Sequence, residues 1–363
     1  MAELTEVLTQ TARLGASDLH IVAGKPPMVR RQGVIEPLPG LAALTPEECQ
    51  SMIYSVLTEG QRAKFEDAWE LDGSVSLPGV SRFRLNVFRQ KNGIAAVFRV
   101  ISAKIPSPAE IGLMPSIANL IDLPRGLVLV TGPTGSGKST TLACLIEQIN
   151  QKHAKKVLTI EDPIEFVYED KQSVILQREI GSTTKSFSEA LRHSMRQDPD
   201  VILIGEMRDL ETIQLAISAA ETGHLCFATL HTADAATTVD RIIDVFPASQ
   251  QQQVRVQLST VLQAVVCQQL LPRKGGGGQV CAREFMKVTT GIGSLIREGK
   301  THQIYGAVEA GAKHGMITMD QYLAFLLKQN LLDVDEALGA AHDPETVKRL
   351  AGMQVAPNPG TAA

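Results

Sequence analysis

Residues Gly132–Thr141 read "GPTGSGKSTT", and the fold turns on what must stand on either side of them. The spacing Gly132-x4-Gly137-Lys138-Ser139 is that of a phosphate-binding loop, in which glycines let backbone N–H groups wrap an anion closely. Such a loop works only between a strand and a helix. The chain supplies both, the apolar run Leu127–Val130 before it and a helical pattern from about Ser139 after it. Lys138 offers a point charge to the β- and γ-phosphates of a nucleoside triphosphate, and Ser139 a hydroxyl to Mg²⁺. Gly132, Pro133, Thr134, Gly135, Ser136, Gly137 and Thr140 complete the expected nucleotide-binding set.

Downstream, short apolar runs alternate with helical patterns, in "KKVLTIEDPIEF" (155–166) and "SEALRHSMRQDPDVILIGEMRDLETIQLAISAAETGHLCFATLHT" (188–232). This alternation predicts a parallel sheet covered on both faces. The carboxyl ends of parallel strands face the nucleotide crevice, so acids there are candidates for chemistry. "DVILIG" (200–205) followed by Glu206 has the shape of a Walker B element. Its usual Asp position is Gly205, which leaves metal binding to Ser139 and water and frees Glu206 to orient or deprotonate water. Glu161, at the end of another strand, is either a second crevice acid or a turn cap. His224 and His231 bracket the strand in "TGHLCFATLHT" (222–232) without a third metal ligand. Each is a hydrogen-bonded core histidine or, for His231, a phosphate sensor. Transition-state charge calls for arginine. Arg196, Arg208 and Arg241 lie in this part of the chain, each otherwise a surface or salt-bridge residue. Arg84 and Arg99 lie upstream, useful if the first domain of one subunit closes over the nucleotide of the next.

Residues 1–101 read as a smaller α+β domain. Leu4, Val7, Leu8 and Ala12 have helical spacing, and "SRFRLNVFRQKNGIAAVFRVI" (81–101) alternates Phe83, Leu85 and Val87 against Arg82, Arg84 and Asn86. Asn92-Gly93 is the expected positive-φ turn of that hairpin. Pro106, Pro108, Gly112 and Pro115 mark 102–124 as a linker. Residues 125–350 form the nucleotide domain, mostly helical from about 250 apart from a turn at Gly275–Gly278, and 351–363 a disordered tail.

Two domains suit 363 residues. A net charge of −4 gives no bulk grip on nucleic acid or an anionic membrane. Five cysteines, none in a C-x-x-C pair, argue against a disulfide framework and a zinc ribbon and fit a reducing cytosol. No apolar run approaches the roughly 18 residues of a membrane helix, so membrane association is expected only through partners.

These stretches, with "SDLHIVAGKPPMVRRQG" (17–33), "TIEDPIEF" (159–166), "DPDVILIGEMRDLETI" (198–213) and "AETGHLCFATLHTADAATTVDRIIDVFP" (220–247), make the chain resemble the secretion-type (type II/type IV pilus) ATPase family over nearly its whole length. The resemblance implies an α/β fold with a RecA-like P-loop NTPase core and a smaller N-terminal PAS-like α+β domain. It implies a ring-shaped homohexamer with ATP and Mg²⁺ between subunits. It assigns catalysis to Glu206 with help from Glu161, the family's His box to His224 and His231, and phosphate contact to Arg84 and Arg99. Without the four-cysteine zinc element and the longer N-terminal region of assembly and secretion members, the chain is most similar to the retraction branch. That branch implies a cytoplasmic motor, peripheral at the inner-membrane pilus base, that hydrolyses ATP to power type IV pilus retraction and twitching motility. Implied partners are an inner-membrane pilus platform protein and a paralogous retraction ATPase, with no nucleic acid. The branch's motif A-I-R-N-L-I-R-E stands here as "GIGSLIRE" (291–298), with Gly291, Gly293 and Ser294 replacing Ala, Arg and Asn.

Three other readings stay open. An accessory retraction ATPase is similar overall. A nucleic-acid motor shares the core, but the acidic balance and the lack of a basic, aromatic-interleaved stretch weigh against it. A nucleotide-gated scaffold without turnover is favoured by Gly205 in the Walker B position and opposed by Glu206.

Overall fold

Alternation along Ser81–Gln90 buries Phe83, Leu85 and Val87 and turns Arg82, Arg84 and Asn86 to the other face of the strand. This strand belongs to the first of two units into which the chain divides in the computed structural model, which describes residues 3–31, 33–101 and 104–353. The first unit is Met1–Lys104 with Pro163–Val167, and the second is Ile105–Asp162 with Tyr168–Ala363.

In the first unit the strands are β1 (Asp18–Ile21), β2 (Met28–Arg31), β3 (Val34–Pro37), β4 (Glu70–Leu77), β5 (Ser81–Gln90) and β6 (Gly93–Ile101). They form an antiparallel sheet in the order β3-β2-β1-β6-β5-β4. Helix Leu4–Arg13 sends Leu4, Val7 and Leu8 into the core that holds Phe83, Leu85 and Val87. Helices Pro46–Tyr54 and Glu59–Ala68 start on capping boxes, Thr45 with Glu48 and Thr58 with Gln61. The β5–β6 turn differs in detail from the sequence expectation. Gln90 pairs with Gly93, so Lys91 and Asn92 form the turn and the positive φ, 115°, falls on Gly93.

The second unit holds β7 (Gly126–Thr131), β8 (Lys156–Glu161), β9 (Val174–Glu179), β10 (Val201–Ile204), β11 (Leu225–Leu230), β12 (Leu262–Pro272) and β13 (Gln279–Lys287), in the order β13-β12-β7-β11-β10-β8-β9. All neighbours are parallel except β12 and β13. Every residue of β7, β10 and β11 is buried, because helices cover both faces. On one face Val128 and Val130 pack with Leu142, Leu145 and Ile149 of helix Lys138–Lys152. On the other, Leu127 and Leu129 pack with Ile213 and Ile217 of helix Leu210–Glu221 and with Val239 and Ile243 of helix Ala235–Asp244.

Two expectations need correction. The region from 250 onward is not mostly helical at its start: after helix Ala248–Val261, β12 and β13 form a long hairpin, closed around Gly275–Gly278, before the helices resume. A buried strand such as "AVVC" (264–267) shows no alternation, so periodicity does not separate it from a buried helix. The expected linker is structured over most of its length. A helical turn at Pro115–Ala118 and a 3₁₀ turn at Asn119–Asp122 bury Ile117, Leu120 and Ile121 in the core beneath β7. Arg283 of β13 donates to the carbonyls of Gly112 and Ile111. Residues 102–103 of that linker and 354–363 of the expected tail lie outside the described residues.

Glu284 of β13 is 2% exposed and accepts from the backbone N–H groups of Ala235 (2.8 Å) and Met319 (3.4 Å), the first residues of helices Ala235–Asp244 and Met319–Lys328. Burial pushes its carboxyl up from 4.5 to about 7, against the pull of these two bonds. The folded state therefore keeps a proton that the unfolded chain has already released, and stability falls as pH rises from 4.5 through about 7. Relative to Glu284→Gln, wild type should lose on the order of 3 kcal/mol of unfolding free energy between pH 4.5 and 8. Denaturant melts at both pH values measure this, and parallel losses in the two proteins would refute the assignment.

Candidate active site

The phosphate loop leaves the end of β7 and feeds helix Lys138–Lys152, whose N-cap is Gly137 at φ 85°. A β-carbon at Gly132 would lie 2.2 Å from the carbonyl oxygen of Gln268 and 2.7 Å from Ser136 Oγ, so only glycine fits there. Pro133, Thr134 and Gly135 are exposed at the loop tip, while Ser139 and Thr140 stand half-buried in the first helical turn. Lys138 is buried, and its Nζ donates to the carbonyls of Gly132 (2.8 Å) and Pro133 (2.9 Å). Ser136 Oγ is buried without a hydrogen-bond partner among the described residues. A serine hydroxyl, a lysine and the open N–H groups of a helix N-terminus lie together in this one loop, and these are the donor types that phosphate oxygens require.

Sequence reasoning missed Gln268. It sits on β12 one residue past Cys267, which pairs with Thr131 at the end of β7. Its Nε2 donates to Ser136 O (2.8 Å) and its Oε1 accepts from Thr141 Oγ1 (3.0 Å), clamping the loop to the first turn of the helix. The signal was a polar pair, Gln268-Gln269, inside an apolar run. Beside this clamp opens a cavity of about 480 Å³ that reaches from Gly137, Thr140 and Thr141 to Leu270, Tyr322 and Phe325.

Parallel register brings the predicted strand-end residues to the same edge of the sheet as the loop. Glu206 follows β10 by two residues and His231 directly follows β11. Arg208 Nε lies 2.7 Å from Glu206 Oε1, and His231 Nε2 lies 3.0 Å from the same oxygen. Burial alone would raise the Glu206 carboxyl, but the Arg208 hydrogen bond and charge, with help from His231, hold it below the usual carboxylate range. Glu161, buried at the end of β8, accepts from Thr159 Oγ1 (2.7 Å) and Gln177 Nε2 (3.4 Å). Gly205, where the usual Walker B Asp was looked for, is closely packed. A β-carbon there would lie 3.0 Å from Ile160 O and 3.3 Å from Glu161 Cα.

Other expected site residues stand elsewhere. His224 precedes β11 and so lies at the opposite end of that strand from His231, about 20 Å away at ~3.3 Å per residue. Its Nδ1 faces Ala219 O at 2.9 Å, so that nitrogen carries the proton, and the ring closes the end of helix Leu210–Glu221. The structure gives His224 a helix-capping place and does not bring it to the crevice edge. Arg84 and Arg99 belong to the first unit, where they face each other across β5 and β6 on its exposed side. Arg99 Nε donates to Asp18 Oδ1 at 2.8 Å.

A family model described as Type II/IV secretion system protein matches residues 3–314. The chain is 49% identical to the type IV pilus retraction ATPase PilT of Pseudomonas aeruginosa, covering 94% of this chain and 99% of that protein. It is 38% identical to the type IV pilus ATPase PilU of the same organism, covering 93% and 88%. A solved structure of the pilus retraction motor PilT with bound ADP superimposes with a TM-score of 0.91 at 47% identity, covering 96% of this chain and all of that one.

Two substitutions probe the geometry. Gln268→Leu removes both clamps and strands Ser136 O and Thr141 Oγ1, so ADP affinity measured by calorimetry should fall about tenfold, the scale of one or two lost hydrogen bonds; unchanged affinity would dismiss the clamp. Gly205→Asp should not create a better metal site. Its β-carbon would press on the backbone of β8, and thermal or chemical melts should show a loss of about 1–3 kcal/mol.

Proposed function

Because the chain belongs to the Type II/IV secretion system protein family, we propose that it is an ATP-hydrolysing motor that powers type IV pilus retraction. The observation that carries the chemistry is the meeting of Glu206 and His231 at neighbouring strand ends of a sheet whose interior strand β7 leads into the phosphate loop. In this reading the triphosphate lies along Gly132–Thr140, with the base and sugar in the adjoining cavity. Ser139 would hold Mg²⁺, which supplies charge neutralisation at the phosphates. Glu206 takes a proton from water as the water oxygen bonds to the γ-phosphorus and the bond to the departing ADP breaks. His231 senses the terminal phosphate and Glu161 assists.

The second unit is read as the RecA-like core and the first as the PAS-like domain. A homohexamer would let Arg84 and Arg99 of one subunit serve the nucleotide of the next. No described helix is long and apolar enough to cross a membrane, which accords with a cytoplasmic motor that meets the membrane through a pilus platform protein. The near full-length likeness to PilT favours retraction itself over the accessory, PilU-like role, for which identity is lower. Within "GIGSLIRE", Gly293 packs where a β-carbon would come 3.2 Å from Ser259 O, so the helix Thr290–Arg297 rests closely on the helix before β12. Arg297 and Glu298 remain exposed for an output contact.

Lys138→Ala and Glu206→Ala should each cut Mg²⁺-dependent phosphate release by about 10²-fold or more while leaving the melting midpoint near wild type. Substantial turnover by either variant would overturn the assignments. A deletion strain should keep surface pili and lose retraction, whereas loss of the pili themselves would point to an assembly motor.

A further inference from the structure

Glu206, the base in the reading above, is engaged twice on one oxygen, by Arg208 and by His231. A carboxylate so held is a weak proton acceptor, since general-base strength falls with basicity. Turnover therefore requires that Arg208 let go. The two partners differ in freedom: the Arg208 side chain is 73% exposed, against 19% for Glu206. Arg208 lies in the short segment between β10 and helix Leu210–Glu221, at the same sheet edge from which the phosphate loop departs. Its charge is held chiefly by Glu206, with a smaller pull from Asp162 beyond the end of β8. A terminal phosphate carries more negative charge than one carboxylate, and a planar guanidinium pairs with phosphate oxygens in a fork.

We propose that Arg208 is a catalytic residue that exchanges partners, holding Glu206 idle without a terminal phosphate and moving to that phosphate when ATP binds. The exchange frees Glu206 in the same step that brings a positive charge to the phosphoryl group. Hydrolysis before the γ-phosphate is seated is thereby suppressed, because the base becomes available only once its latch has found the substrate. The inference rests on the ATPase reading of the same site.

The test is equilibrium titration of the full-length protein with a non-hydrolysable ATP analogue and with ADP. Arg208→Ala should weaken the analogue by about 10- to 100-fold, the scale of a charge-assisted hydrogen bond, and leave ADP within about twofold. Its kcat should fall, and Arg208→Lys should recover part of the analogue affinity. Glu206→Gln removes the competing carboxylate and should bind the analogue more tightly than wild type does. If Arg208→Ala melts early, the Glu206→Gln titration decides alone. Equal weakening of analogue and ADP, or no change in either, overturns the exchange and leaves the ATPase reading standing. Failure of the wild type to bind nucleotide, or full turnover by Lys138→Ala, overturns that reading and the exchange with it.

Discussion

The second unit is organised around one close approach. The backbone at Gly132 passes the Gln268 carbonyl so tightly that even a β-carbon would lie 2.2 Å from it. This contact requires β12 beside β7, and so it fixes which strand braces the phosphate loop. Once β12 is there, the Gln268 carboxamide reaches Ser136 on the loop and Thr141 on the helix, and the loop becomes a rigid cradle. Lys138, turned back onto the carbonyls of Gly132 and Pro133, places its charge at the floor of that cradle. The hairpin that supplies Gln268 also carries Arg283 and Glu284, which tie down the segment before β7 and the starts of two helices.

Around this cradle the chemistry depends on parallel register. Strands β7, β11, β10 and β8 run the same way, so residues that follow them collect along one edge. Glu206, His231 and Arg208 form one electrostatic group there, in which a single carboxylate oxygen is shared by two nitrogen donors. Packing between β10 and β8 is tight at Gly205, and the acid of this segment is Glu206, one residue further on. The departure from the usual Walker B pattern leaves one carboxylate, Glu206, just past this strand.

Much of this was legible in the chain itself. Glycine spacing at 132–137, uninterrupted apolar runs at 127–130 and 201–204, and acids just past the strands are local signals with local causes, namely backbone freedom and two-sided burial. The alternation of Phe83, Leu85 and Val87 likewise needs only the two-residue period of a strand. Less was legible where burial erases periodicity, as in β12, or where proline and glycine imitate a linker, as in residues 104–124. His224 and His231 look equivalent in sequence, yet a parallel strand between them puts them at opposite edges.

The sequence alone determined that a phosphate loop would sit between strand and helix, that the sheet would be parallel, and that Glu206 would stand at a strand end, because each follows from neighbours within a few residues. Only the tertiary structure decided that Gln268, more than 120 positions downstream of Thr141, clamps the loop. It alone put Arg208 and His231 on the same oxygen of Glu206, and left His224 to close a helix. Those outcomes depend on which strands lie side by side, and strand order is a long-range packing choice that no local pattern encodes.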